Sequence, residues 1–234
     1  MSLVWSREPY SPRRHSISVE RVARAGVTIA DAEGLEALSM RRVAAELTSG
    51  TTSLYRYIKN RDELLDLMVD SVAGDAEPRE TSGDWRIDLT ALAHGQRQLM
   101  LRHPWLGSLL STRPALGPNF LRRMDEALAA AAELTADATR AANAIGLIHD
   151  YVRGAVSREL AELEARRRTG KTGDEWRADV APYIREVIAS GDYPHFTRRV
   201  VEARELSFLE QFDYGLDRIL DGIGAAEPPN EPAP

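Results

Sequence analysis

Residues 34–61 read GLEALSMRRVAAELTSGTTSLYRYIKNR, and this stretch decides how the chain folds. Ser39 sits where a helix N-cap belongs, ahead of a helix expected over Met40 to Leu47. Arg42 occupies the position where Glu or Gln would complete a capping box. Thr48, Ser49 and Gly50 break the pattern, and a short helix is expected from Thr51 to Tyr57. Val43, Ala44, Leu47, Leu54 and Ile58 have the spacing that holds two such helices together, with small Ala44 at the crossing. Upstream, Val22, Gly26, Ile29 and Ala30 share one face of a helix that stops at Gly34, a C′ glycine. Downstream, Asn60 and Glu63 form a capping signature, and Leu64, Leu65, Leu67, Met68 and Val72 carry the next helix. Short helices, two of them joined by a tight turn, predict a helix-turn-helix head.

The residues left outside that small core are the kinds that meet DNA. Thr51, Thr52, Ser53, Tyr55, Arg56 and Tyr57 offer hydroxyls, a guanidinium and rings to phosphates and base edges. Ser39 and Asn60 mark helix N-termini, with Arg41, Lys59 and Arg61 beside them as phosphate partners. Two alternatives stay open on sequence alone: Tyr55 as a core tyrosine, and Arg41 with Arg42 as a solvated face. Arg13 and Arg14 read as an unstructured arm or as a minor-groove contact.

Charge supports a polyanion at this end. Overall the 234 residues carry −6, yet residues 1–60 hold nine basic and six acidic side chains, so that segment is +3 and the remainder −9. A basic end on an acidic body meets nucleic acid locally while the rest stays soluble. With no cysteine there is no disulfide framework, thiolate metal site or cysteine nucleophile. No apolar run is long enough to span a bilayer and the N-terminus has no signal-peptide core, which predicts a cytoplasmic protein without a membrane partner. His94 and His103 are out of helical phase, His149 lacks a spaced partner, and no GxSxG, P-loop or HExxH occurs. No metal, cofactor or catalytic residue is therefore expected.

Beyond the head, helical periodicity continues and no alternating strand stands out, so the expected class is all-α. The expected organisation is an arm at 1–16, the head at 17–75, a larger helical domain at 84–222 and a disordered tail at 225–234. Helices are expected from Trp85 to Arg102, after Pro118, through the alanine-rich stretch 127–156, over 175–189 with a start or interruption near Pro182, and in a last helix from Leu206 to Leu220.

The stretch 34–47, the run Ser53-Leu54-Tyr55-Arg56-Tyr57-Ile58-Lys59-Asn60-Arg61-Asp62-Glu63-Leu64-Leu65, the segments His103-Pro104-Trp105-Leu106 and 113–119, and the run 212–220 together resemble the tetracycline-repressor (TetR) family of bacterial transcriptional regulators. The resemblance covers most of 17–222. Thr48 stands where that family usually has glycine, and Ser49 where it has a small apolar residue; Thr48 with positive φ would be strained. What the resemblance implies is a homodimer whose head binds a palindromic operator. Its C-terminal domain would dimerise through a four-helix bundle and bind a small organic effector that releases the DNA. It also implies that the Tyr55 hydroxyl sits on phosphate while its ring packs.

Candidate pocket residues are His94, Met100, Trp105, Phe120, Asn143 and His149, with Leu92 and Gln96 nearby, a mostly apolar set with a few hydrogen-bonding groups. Candidate dimer residues are Ile145, Val152, Phe208, Phe212, Leu216 and Ile219, apolar at helical spacing. Two other readings stay open: a constitutive DNA-binding protein whose second domain only dimerises, and a helical small-molecule-binding or catalytic protein.

Overall fold

The computed structural model describes Trp5 and residues 17–75, 80–110 and 116–225. The expected arm, including Arg13 and Arg14, and the tail from Ala226 lie outside the described residues. Within them the chain is all helix, with no strand. The elements are α1 (Val19–Glu33), a 3-10 turn (Leu35–Ala37), α2 (Met40–Glu46), α3 (Thr51–Leu54), α4 (Arg61–Gly74), α5 (Trp85–Arg102), α6 (Leu106–Leu110), α7 (Pro118–Ala132), α8 (Ala138–Thr169), α9 (Gly173–Ser190), α10 (Pro194–Glu202) and α11 (Phe208–Gly224). Residues up to Arg153 pack as one unit and Gly154–Ala225 as a second, with α8 running from one into the other.

In the first unit the helix boundaries follow from side-chain caps. Ser18, Ser39 and Asn60 accept from the backbone N–H groups of Arg21, Arg42 and Glu63 and start α1, α2 and α4. Gly34, at φ 81°, ends α1 in a conformation that side chains rarely adopt. Thr48 does adopt one, at φ 50°, in the turn between α2 and α3. Val22, Val43, Leu54, Ile58, Leu64 and Met68 are fully buried and form the core of the head. The third helix is shorter than its pattern suggested. It ends at Leu54, and a turn closed by Tyr57 N–H and Ile58 N–H on the Leu54 carbonyl carries the chain onward.

The alanine-rich stretch is two helices. Asp137 accepts from Thr139 N–H and Arg140 N–H and so starts α8. Ala127, Ala131, Ala141 and Ile145 then pack together, flanked by Leu92 and Met124.

In the second unit, a capping box between Thr172 and Glu175 starts α9 well before Pro182, which the helix accommodates in its interior. The carbonyl orphaned by that proline belongs to Ala178, an exposed residue. A second capping box, Ser207 with Glu210, starts α11, whose Phe212, Leu216 and Leu220 are buried. α10 was not visible as a separate element in the sequence. Neither α9 nor α10 buries a residue. No described helix is long and apolar enough to cross a membrane.

Candidate functional site

The short α3 and the turn after it present Thr52, Tyr55 and Arg56 to solvent, with Thr51 and Ser53 half-buried beside them. Tyr55 is 52% exposed, so its ring is not a core ring. Tyr57 is: at 7% exposure it belongs to the interior, because the turn after Leu54 rotates it inward. Arg41 is exposed on the first turn of α2. Its neighbour Arg42 is held between Glu33 at 2.7 Å and Glu46 at 2.9 Å, which settles it as part of the head's own surface network. Those two carboxylates hold the Arg42 guanidinium above its already high pKa.

Two further residues have local duties. The Ser39 hydroxyl is spent on Arg42 N–H. The Arg61 guanidinium donates to the Leu35 carbonyl at 2.9 Å and to the Leu38 carbonyl at 3.3 Å, tying α4 to the 3-10 turn. Lys59 is exposed at the start of α4, with its backbone N–H held by Glu63. Arg41, Thr52, Tyr55, Arg56 and Lys59 thus form the outward set, while Ser39, Tyr57 and Arg61 shape the head that displays them.

A cavity of about 350 Å³ lies within the first unit. Its apolar wall comes from several helices: Val69 and Ala73 on α4, Leu92, Leu99 and Met100 on α5, and Leu106 and Leu110 on α6. α7 adds Phe120, Met124 and Ala127. The polar groups are Gln96, Arg123, His149 and Arg153. Of the expected pocket residues, Met100, Phe120 and His149 are on this wall together with Leu92 and Gln96, and His94, Trp105 and Asn143 are not. Asn143 is exposed on α8, and Trp105 is occupied elsewhere. Burial lowers the His149 pKa by stripping water from the charged ring, and Arg153 and Arg123 lower it further, against a partial opposing effect of Asp150. At neutral pH the imidazole is therefore uncharged and can both donate and accept a hydrogen bond. Arg123 and Arg153 were missed in the sequence; the one signal was the four-residue spacing of Arg153 from His149.

Two polar contacts join the head to the cavity wall, and no sequence pattern announced either. Asp70, buried on α4 between Val69 and Ala73, accepts from the Phe120 backbone N–H and from the Asn119 amide, both at 2.9 Å. It therefore caps α7 from a distance. Gly117 makes this possible: a Cβ there would come within 2.2 Å of the Asp70 carboxylate. Asp31 on α1 accepts from Trp105 Nε1 at 2.7 Å and from His103 Nδ1 at 2.9 Å. His103 Nε2 is buried and has no partner among the described residues. Trp105 directly precedes Leu106 of the cavity wall, so α6 is anchored to α1 at its first turn.

Ile145, Val152, Phe212 and Leu216, expected at a dimer interface, are each at most 4% exposed within the single chain. Within the single chain these four side chains are enclosed by their own neighbours. Phe208 and Leu209 on α11 are exposed, and Ile219 is half-buried.

Comparison with known proteins agrees with this architecture. Residues 77–226 match the family described as tetracyclin repressor-like, C-terminal domain. An HTH-type transcriptional repressor of Streptomyces coeruleorubidus, DrrR1, is 43% identical over 95% of this chain and 84% of its own length. An HTH-type transcriptional regulator of Saccharopolyspora erythraea is 34% identical over 95% of this chain and 91% of its own. Among solved structures, apo ActR from Streptomyces coelicolor superposes with a TM-score of 0.74 at 28% identity, over 89% of this chain and 95% of that one. ActR in complex with actinorhodin gives 0.73 at 29% identity, over 89% and 97%. With a helix-turn-helix head at one end and a matching helical domain over most of the remainder, the chain belongs to the tetracycline-repressor family of transcriptional regulators.

Proposed function

We propose that this regulator is a homodimeric repressor that leaves its operator when a small organic molecule fills the cavity bounded by α4, α5, α6, α7 and α8. The observation that carries the reading is the shared wall. Val69 and Ala73 of the head's last helix face the cavity, and Asp70 between them holds the backbone of Phe120, another wall residue. A ligand pressing on this wall acts directly on the element that aims the head. ActR, similar over most of its length, has been solved with actinorhodin bound, which supports a ligand-receiving cavity here. A constitutive protein would have no use for an apolar cavity of this size.

DNA is met by Thr52, Tyr55 and Arg56, with Arg41 and Lys59 on flanking phosphates. The dimer forms through exposed apolar side chains of the second unit, Phe208 and Leu209 with those of α10. Two heads would then bind half-sites about one duplex turn apart, roughly 34–36 Å.

Selection from random oligonucleotides tests the head: a two-fold symmetric site should emerge, bound with a steep salt dependence. Arg56→Ala should weaken that site by about 1–3 kcal/mol and relax the base preference. Filling the cavity with Phe120→Trp should leave operator binding intact and abolish release by any effector. Release that survives the filled cavity would place the effector elsewhere, and an unaltered head that selects no site would refute the repressor itself.

A further inference from the structure

The polar side chains on the cavity wall fall into two pairs. Arg123 and Arg153 are already answered by their own chain: Arg153 pairs with Asp150 and is 37% exposed, and Arg123 is engaged as well. The side chains of Gln96 and His149 have no hydrogen-bond partner among the described residues. Both also line a recess of about 10 Å³, room for one water at most, with Leu89, Ala93, Ile145 and Ile148 on its other sides. Gln96 of α5 and His149 of α8 therefore stand together, with hydrocarbon behind them and the cavity in front. Only an occupant of the cavity, water or ligand, meets their donors and acceptors. Burial, and then the two guanidiniums, keep the His149 ring uncharged at neutral pH, so ring and amide each offer one donor and one acceptor face. An anion would have to take Arg153 from Asp150 or Arg123 from its present contacts, or else leave water for an apolar wall. A cation meets two guanidiniums and, among the described residues, no carboxylate on the lining.

Resting on the ligand-responsive reading above, we propose that the effector is an uncharged molecule, with a hydrocarbon body against α5, α6 and α7 and a hydroxyl or carbonyl group hydrogen-bonded to Gln96 and His149. A hydroxyl gives its proton to one of the pair and accepts from the other, so neither is left unanswered. Charged compounds of the same size are discriminated against, because their charge leaves water without gaining a free partner.

The test compares three probes with one aromatic body: 2-naphthol, 2-methylnaphthalene and 2-naphthalenesulfonate. In titrations of the full chain at neutral pH, the naphthol should bind at least about tenfold tighter than the sulfonate, a gap of about 1.4 kcal/mol. Gln96→Leu and His149→Leu should each weaken the naphthol several-fold and shift methylnaphthalene by less than about twofold, which separates a lost hydrogen bond from a damaged wall. His149→Gln keeps a donor and an acceptor and should retain most of the naphthol affinity. Sulfonate binding as tight as the naphthol's, Leu variants that move naphthol and methylnaphthalene alike, or no binding of the naphthol would overturn the proposal. Should a Leu variant fail to fold, the wild-type comparison and His149→Gln decide. If the sulfonate binds the cavity more tightly and releases the operator, the chemical assignment fails and the ligand-responsive reading stands. If the naphthol binds through Gln96 and His149 but no cavity occupant alters operator binding, the broader reading fails, and the effector assignment with it.

Discussion

Helices α1–α4 and helices α9–α10 draw on similar apolar residues and put them to opposite uses. In the head, Val22, Ile29, Val43, Leu54, Ile58, Leu64 and Met68 are all 1% exposed or less. In α9 and α10, Trp176, Tyr183, Phe196, Val200 and Val201 are all exposed, and no residue is buried. The head closes on itself because α1, α2 and α4 start at side-chain caps and, with α3, surround one small core. The other pair keeps its apolar surface outside the single chain, an arrangement that soluble proteins reserve for surfaces met by something else. An apolar residue therefore has no fixed value here; its worth depends on whether its own chain supplies the neighbours.

The largest expected effect tests that contrast directly. Leu54→Ala should cost about 2–5 kcal/mol, since its side chain is fully enclosed and its loss leaves a cavity. Val201→Ala, at a position 69% exposed, should stay within about 0.5 kcal/mol in dilute protein. Urea melts of both variants at low concentration check the pair, and similar losses would erase the distinction. Next comes Asp70→Ala, which leaves the Phe120 N–H and the Asn119 amide without their acceptor and should cost about 1–3 kcal/mol. Asp70→Asn keeps an acceptor oxygen and should lose less. A polar residue on a packed helix would thus outweigh an apolar residue on an unpacked one; a neutral Asp70→Ala would break the argument that α4 and α7 are joined through it.

The same contrast explains what could be read from the sequence. Ser39, Gly34 and Asn60 punctuate helices whose core faces are satisfied locally, so the end of α1 and the starts of α2 and α4 were legible in the sequence. Tyr57 misled because a turn after Leu54, rather than another helical turn, decides which way it points. Phe212 and Leu216, buried within the single chain, show a related limit: an apolar stripe says that something covers it, and the spacing is the same for an intrachain neighbour and for a partner. Asp31 and Asp70 were invisible because their partners are 74 and 50 residues away along the chain, at Trp105 and Phe120. No local pattern encodes a polar contact across that separation. His149 lines the cavity and His94 does not, although the sequence offered both as hydrogen-bonding groups in one apolar set.

A smaller effect concerns what covers the unpacked helices. Phe196→Asp puts a charge at the centre of the α10 apolar face. If a second copy covers that face, the dimer should dissociate at least about tenfold more readily, about 1.4 kcal/mol, while melting of the dilute single chain stays unchanged. Sedimentation equilibrium across a range of concentrations separates the two outcomes. Unchanged association would mean that the copies meet elsewhere.

The smallest expected effect is a gain, and it lies inside the region that packs best. Thr48 holds φ 50° in the turn between α2 and α3, where its N–H reaches the Ala45 carbonyl at 3.1 Å and the next N–H reaches Ala44 at 2.9 Å. Those bonds over-determine the turn, so a β-branched residue is kept in the left-handed region at a cost of about 1–2 kcal/mol. Glycine removes that cost but loses more freedom on folding, about 0.5–1 kcal/mol. The balance favours Thr48→Gly by about 0.5–1 kcal/mol, read as a higher urea midpoint with an unchanged slope. Operator affinity should not move, because the turn only joins α2 to α3 and the substitution leaves its hydrogen bonds in place. A gain in stability with a loss of DNA binding would instead assign the Thr48 hydroxyl a place on the DNA face, and the head would then carry one contact more than its exposed arginines and hydroxyls account for.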